Sequence, residues 1–260
     1  MRLAVTLMPT GDWAAILSAA RIADVGGLDA VGLWDHFHSQ QPEEQLVGGW
    51  SAYGALAAAT ERIRLTPLVL DRLNHTLQGL AKESASLSII SGGRLELGIG
   101  AGGWRGEHEA WGQPFPGAGE RVKALEETVL ALRELWSGEP VSFEGEYIRL
   151  HRAACRPAPP HPPWVVVGAS ASRRLIRSAV TYADELNVDS DPSVLSFASQ
   201  EIQASGRKVA LSVIAYWMEW PRDAAGELRQ LEEQGVERVF VNLAHPFDLL
   251  PRLVDLSAVL

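Results

Sequence analysis

Short apolar runs alternate with longer amphipathic stretches along the whole chain. "RLAVTLM" (2–8) reads as a strand. "DWAAILSAARIADVGG" (12–27) follows as a helix, with Ile16, Ala19, Ala20 and Ala23 on one face and Gly26-Gly27 at its end. The pair recurs as "DAVGLW" (29–34) with "WSAYGALAAAT" (50–60), "RIRLTPLVL" (62–70) with "TLQGLAKESASLSII" (76–90), and "RLELGIG" (94–100) with "ERVKALEETVLALRELW" (120–136). In the last helix Val122, Leu125, Val129, Leu132 and Trp136 recur at spacings of three and four. Further on come "WVVVGAS" (164–170) with "SRRLIRSAV", then a fainter "DELNVD" (184–189). The chain ends with "KVALSVIAYWME" (208–219) and "AAGELRQLEEQG", then "ERVFVNL" (237–243) and a short closing helix.

Strands that alternate with helices pair in parallel, and eight such units in this length suit an α/β chain folded as one (β/α)8 barrel over residues 1–260. An open doubly wound sheet is the runner-up. The only dinucleotide-like loop, "GIGAGG", lies far from the first unit and lacks an acid ending the next strand. Two segments break the rhythm: a long Gly/Pro-rich loop after strand four (101–119), and "PVSFEGEYIRL" (140–150), which reads as a β-hairpin inserted before strand five. "RPAPPHPP" (156–163) follows as a stiff connector.

Composition narrows the function classes. A formal charge of −9 opposes binding to nucleic acid or anionic lipid through the overall field. No apolar run nears the roughly 20 residues of a membrane span, and the N-terminus reads as a strand rather than a signal peptide, so a cytoplasmic location is expected. The single Cys155 excludes an internal disulfide and a Cys-based zinc site. Of nine Trp, five (Trp13, Trp34, Trp50, Trp104 and Trp111) fall at ends of elements, where a ring walls a pocket or packs a core equally well.

In a barrel of this kind chemistry collects where strands end. The second strand stops abruptly at Asp35-His36, with His38 beyond. His36 suits acid–base work or plain surface capping, and Asp35 projects to the other side of the strand from it. No local spacing of ligands suggests a metal. "VVVGASASRR" places small residues before a helix start, with Ser170, Ser172 and Arg173 or Arg174 available to a phosphate; helix capping accounts for the same residues. Gly98, Gly100, Gly102 and Gly103 bring backbone close to something bulky at the mouth, with Glu107 opening a short helical turn.

Together "LWDHF", "ATERIRL", "SGGRLELGIGAG", "EHEAWG", "GERVKALEETVLALRELWSGEPVSFEGEYIRL", "VVVGAS" and "ADELNV" resemble, in order and spacing, the bacterial luciferase-like flavin oxidoreductases over residues 2–190. The resemblance implies a (β/α)8 barrel that binds coenzyme F420 or FMN. It implies His36 as the catalytic proton-handling residue, and Leu70-Asp71 as the place of a strand-three bulge with a non-prolyl cis peptide behind the ring. Gly100, Ala101 and Gly102 match the cofactor-proximal loop, and Gly168, Ala169 and Ser170 the phosphate-holding turn. Trp34, Trp104 and Glu107 are the expected substrate-pocket residues. The chain departs from the family in reading "HTL" (75–77) where many members have Arg-x-Pro. Gly103 stands where sugar-phosphate dehydrogenases carry an acid, which argues against that substrate. The expected activity is F420-dependent hydride transfer with a small organic substrate. The alternatives are a two-component FMN monooxygenase with a separate reductase, and a flavin-binding protein without turnover. Relatives are often dimers, so a homodimer is expected.

Overall fold

The computed structural model describes residues 1–39 and 45–259. Its main sheet holds β1 (Arg2–Leu7), β2 (Ala30–Leu33), β3 (Arg64–Leu65), β4 (Leu70–Asp71), β5 (Glu96–Gly100), β8 (Trp164–Ser170), β9 (Glu185–Asp189), β10 (Ala210–Tyr216) and β11 (Arg238–Leu243). The strand order is β3-β2-β1-β11-β10-β9-β8-β5-β4, and every pairing is parallel. The first and last strands of that order are two pieces of one stretch, residues 64–71. Leu65 pairs with Val31 on one side and bridges Leu95 on the other, so the curled sheet meets itself. β6 (Val141–Glu144) and β7 (Arg149–Ala153) form a separate antiparallel hairpin, which extends three residues beyond the expected 140–150.

Around the sheet run α1 (Trp13–Val25), α2 (Gly49–Ala59), α3 (Leu77–Ile90), α5 (Ala118–Leu135), α6 (Arg173–Ala179), α7 (Pro192–Ser205), α8 (Ala224–Glu233) and α9 (Leu250–Ser257). The short α4 (Arg105–Ala110) lies in the loop after β5. Their starts follow local chemistry. The Asp12 carboxylate caps α1 by accepting from the Ala14 and Ala15 N–H groups, and Thr76 caps α3 through Gly79 N–H. α7 has no counterpart in the expected elements, although Asp191 as cap, Pro192 in its first turn and left-handed Gly206 after its end are all conventional signals. The faint sixth strand is β9, and its first four residues are buried.

The strand expected over 62–70 is split. Regular pairing with β2 ends at Leu65, although the Thr66 and Leu68 N–H groups still donate to the Val31 and Leu33 carbonyls; the Leu68–Val69 peptide is cis, and from Leu70 the chain pairs with β5. Gly98 makes room for this detour: a Cβ there would lie 1.6 Å from the Pro67 carbonyl oxygen.

Most apolar burial lies between sheet and helices, where Val5, Val31, Leu97, Val167, Val213 and Val241 meet Ile16, Leu56, Leu80, Leu125 and Leu132. A smaller cluster fills the inside of the sheet: Ala4, Ala30, Leu68, Val166, Ile214 and Phe240. The amino-terminal end of the interior is closed by charge. Arg238, fully buried, donates to Glu185 (2.6 and 3.0 Å), Glu96 (2.7 Å) and Asp29 (2.9 Å). Burial alone would lower the Arg238 pKa, but the carboxylates of Glu185 and Glu96 outweigh it and hold the guanidinium charged. Among the described residues, no helix is long and apolar enough to cross a membrane.

Candidate active site

At the carboxyl end of the sheet, hydrogen bonds from buried side chains hold the ends of the second and third strands. The end of β2 is held by Tyr53 of α2. The Leu33 N–H donates to its phenolic oxygen at 2.6 Å, and the hydroxyl donates back to the Leu33 carbonyl at 3.3 Å. Asp35, buried, then links the ends of the second and third strands: its Oδ2 accepts from the Asp71 N–H (3.0 Å) and from His75 Nε2 (2.7 Å). Asp35 therefore pairs with His75 of the "HTL" segment and not with its neighbour His36, as strand alternation suggested.

His36 reaches across to α4 instead. Its Nδ1 lies 3.1 Å from Glu107 Oε2, while Glu107 Oε1 accepts from the Phe37 N–H (2.6 Å) and the His38 N–H (3.4 Å). The next residue of α4, His108, sets its Nε2 3.1 Å from Asp71 Oδ2, and Asp71 Oδ1 accepts from the Leu73 N–H. Asp71, Glu107 and His108 thus bring ligand-type atoms within 4.8 Å of one another, a cluster that local spacing did not reveal. Each of those carboxylates is already engaged by imidazole and backbone donors, so the arrangement is a hydrogen-bonded clamp of α4 onto two strand ends.

A cavity of about 710 Å³ opens over these strand ends, within the size range of small-ligand sites. Of the residues singled out in the sequence, Trp34, His36, Asp71, Gly100, Ala101, Gly102, Gly168, Ala169 and Ser170 line it. Three expected residues stand elsewhere. Leu70 is buried in the layer between sheet and helices; the detour of the third strand turns Leu68 and Val69 to the cavity in its place, and the cis peptide lies there rather than at Leu70-Asp71. Trp104 sits beside His36 and His38, with ring centroids 5.9 and 4.8 Å away, rather than on the cavity wall. Glu107 is fully buried behind His36, because both its oxygens are taken up by the turn after β2.

The glycines also make room for the chain itself. A Cβ at Gly100 would meet Val69 Cγ2 at 2.9 Å, and one at Gly168 would meet Val69 Cγ1 at 2.7 Å. They accommodate the chain's own detour, while Gly103 has nothing within 4 Å and leaves open space. Ser170 takes a left-handed φ of 45° at a register shift between β8 and β9, which turns the chain into α6.

Sequence reading missed Leu68, Val69, Arg121, Ile214 and Tyr216 among the lining residues. Arg121 is held by the Gly102 and Pro116 carbonyls and lies over the Phe115 ring; burial, then the nearby Arg105 charge, lower its pKa. No spacing rule joins it to His36. Of the five Trp at element ends, Trp34 lines the cavity, Trp50 meets His75, and exposed Trp111 packs on Phe37.

A curled parallel α/β sheet with a large cavity over its strand ends is an architecture suited to holding a small ligand. Comparison with known proteins gives the family: the profile of the luciferase-like monooxygenases matches residues 1–245, and the chain belongs to that family. An F420-dependent glucose-6-phosphate dehydrogenase from Kineococcus radiotolerans is 37% identical over 155 residues, covering 56% of this chain and 44% of that protein. The counterpart from Amycolatopsis mediterranei is 32% identical over 158 residues, covering 58% and 46%. This chain thus matches less than half the length of either relative. Among solved structures, an F420-dependent secondary alcohol dehydrogenase with an F420–acetone adduct shares the fold at a TM-score of 0.86 and 17% identity, over 100% of this chain and 98% of that one. A monooxygenase from Streptomyces bottropensis does so at 0.76 and 20%, over 99% and 98%.

Proposed function

We propose that this protein is an oxidoreductase that uses coenzyme F420 to transfer hydride to or from a small organic substrate. The observation that carries the reading is one cavity running from His36, past Leu68 and Val69, to Gly168, Ser170 and Ser172. Its walls fit such a group. Val69 and the small residues Gly100 to Gly103 offer a surface for a flat ring, while Ser170, Ser172 and Arg174 offer hydroxyls and a cation to a phosphate. When bound, the deazaflavin supplies the hydride chemistry. The protein's own part is to orient ring and substrate and to exchange a proton at His36.

Family membership and the F420-dependent relatives support this cofactor. The open position at Gly103 supports a substrate other than a sugar phosphate, because no acid projects there. The family description and the monooxygenase neighbour favour, as a second reading, an FMN-dependent monooxygenase served by a separate reductase.

Fluorescence titration of the purified protein with each oxidised cofactor separates the two. F420 binding at micromolar affinity or better, with negligible binding of FMN, is the expected result. Tight FMN binding together with an oxygen-dependent product would overturn it.

A further inference from the structure

We infer that Glu107 is a positioning residue that holds His36 with its proton on Nδ1, so that Nε2 is the nitrogen that exchanges a proton with substrate. This rests on His36 as the proton-handling group of the proposed site; what it adds is which atom acts and what selects it.

The geometry is over-determined. The Phe37 and His38 N–H groups can only donate, and both point at Glu107 Oε1 (2.6 and 3.4 Å). That leaves Oε2 for His36 Nδ1 at 3.1 Å. A carboxylate only accepts, so the neutral imidazole meets it with Nδ1–H. Glu107 is fully buried, and its helix is fastened a second time through His108 to Asp71, so the acceptor cannot swing away without breaking both ties. Trp34 and Trp104 stand edge-on to the imidazole, at centroid distances of 6.4 and 5.9 Å, and restrain its plane. His36 itself is 35% exposed on the cavity wall. In this state a substrate hydroxyl would give its proton to Nε2, the O–H bond breaking with its electron pair left on oxygen as the N–H bond forms.

Glu107→Gln makes the idea sharply testable. The Phe37 N–H requires an acceptor, so it takes the amide oxygen and leaves the NH2 group facing His36 Nδ1. Nδ1 must then accept, and the proton moves to Nε2. The substitution nearly preserves shape and inverts the tautomer.

The experiment is a long-range ¹H–¹⁵N correlation spectrum of ¹⁵N-labelled, cofactor-free protein, read on the alkaline plateau of the His36 shifts, with His36→Gln used for assignment. The expected result is Nδ1–H in the wild type and Nε2–H in Glu107→Gln. The variant should also lose roughly 10²-fold or more in turnover, the scale of a misplaced acid–base group, while its affinity for F420 is unchanged. Nε2–H in the wild type, or Nδ1–H retained in the variant, or wild-type turnover in the variant, would each overturn the inference. If Glu107→Gln fails to fold, the wild-type spectrum decides alone. A protein that shows the expected tautomers but binds no F420 would refute the cofactor assignment and leave this inference standing.

Discussion

Replacing Gly98 by alanine tests whether the split third strand is what positions the cavity floor. Gly98 lies inside β5, paired with Val166, and its would-be Cβ sits 1.6 Å from the Pro67 carbonyl oxygen and 2.8 Å from its carbon. Contacts under 3.0 Å are essentially never tolerated, so the Pro67 carbonyl must retreat by at least about 1.4 Å, or β5 must. The obstacle is backbone, held by the Leu68 N–H to Leu33 carbonyl bond at 3.2 Å and the Thr66 N–H to Val31 carbonyl bond at 3.0 Å, so no rotamer relieves it. Adding one carbon to a packed interior costs about 1–3 kcal/mol, and a clash with backbone puts this case at about 3 kcal/mol or more. For a chain of this size that is a fall in Tm of about 6–12 °C. Thermal unfolding followed by circular dichroism measures it, with Gly103→Ala as the control. Nothing lies within 4 Å of Gly103 and its φ is not left-handed, so its change should stay within about 0.5 kcal/mol. Equal melting of the two variants would refute the packing argument. F420 affinity should fall in Gly98→Ala as well, because Pro67 leads directly into Leu68 and Val69.

Three further outcomes are expected. His36→Ala should keep F420 affinity within about tenfold while slowing turnover by roughly 10²-fold or more, and unchanged turnover would remove His36 from the mechanism. Arg238→Met leaves Glu185, Glu96 and Asp29 without their shared cation and should cost about 3–5 kcal/mol in urea unfolding; a loss under about 1 kcal/mol would show that the cluster is not an electrostatic unit. At Asp24 burial works to raise the carboxyl pKa, but the N–H groups of Glu61, Ile63 and Arg62, with the Arg62 charge, together bring it below its ordinary 3.8. A depressed pKa stabilises the fold above that value and loses the stabilisation as pH falls through the folded-state pKa. The stability gap between wild type and Asp24→Asn should therefore be flat near neutrality and close below about pH 4, and a gap constant to about pH 2 would contradict it.

The periodicity of the chain located the parallel strands well because each is buried on both faces, or nearly so, and reads as a plain apolar run. β9 was faint because Glu185 and Asn187 face the sheet interior, where Arg238 and Ser212 satisfy them; polar residues inside a barrel erase the pattern that marks a strand. The third strand looked continuous because Thr66, Pro67, Leu68 and Val69 are as apolar as their neighbours, and only the glycines on β5 and β8 hint that something crosses them. At the site, strand ends could be found from sequence, and His36 and Gly168, both read at such ends, line the cavity. Glu107 was placed in the pocket because proximity along the chain says nothing about depth. Its bonds to His36, Phe37 and His38 span some 70 positions. The Asp71–His108 pair is equally remote, and Arg121 faces the cavity because the first turn of α5 lines it and the Gly102 carbonyl of the loop after β5 accepts from Arg121.

The two-residue pieces β3 and β4 make residues 64–71 the seam at which the sheet joins itself. Each side of that join is held by a short ladder, and Leu68 and Val69, between the two pieces, form part of the cavity floor. A ligand resting there spans the join and ties its two lips together. Filling the cavity then stabilises the join as well as the ligand, and slowed hydrogen exchange at residues 68–71 would be its earliest sign.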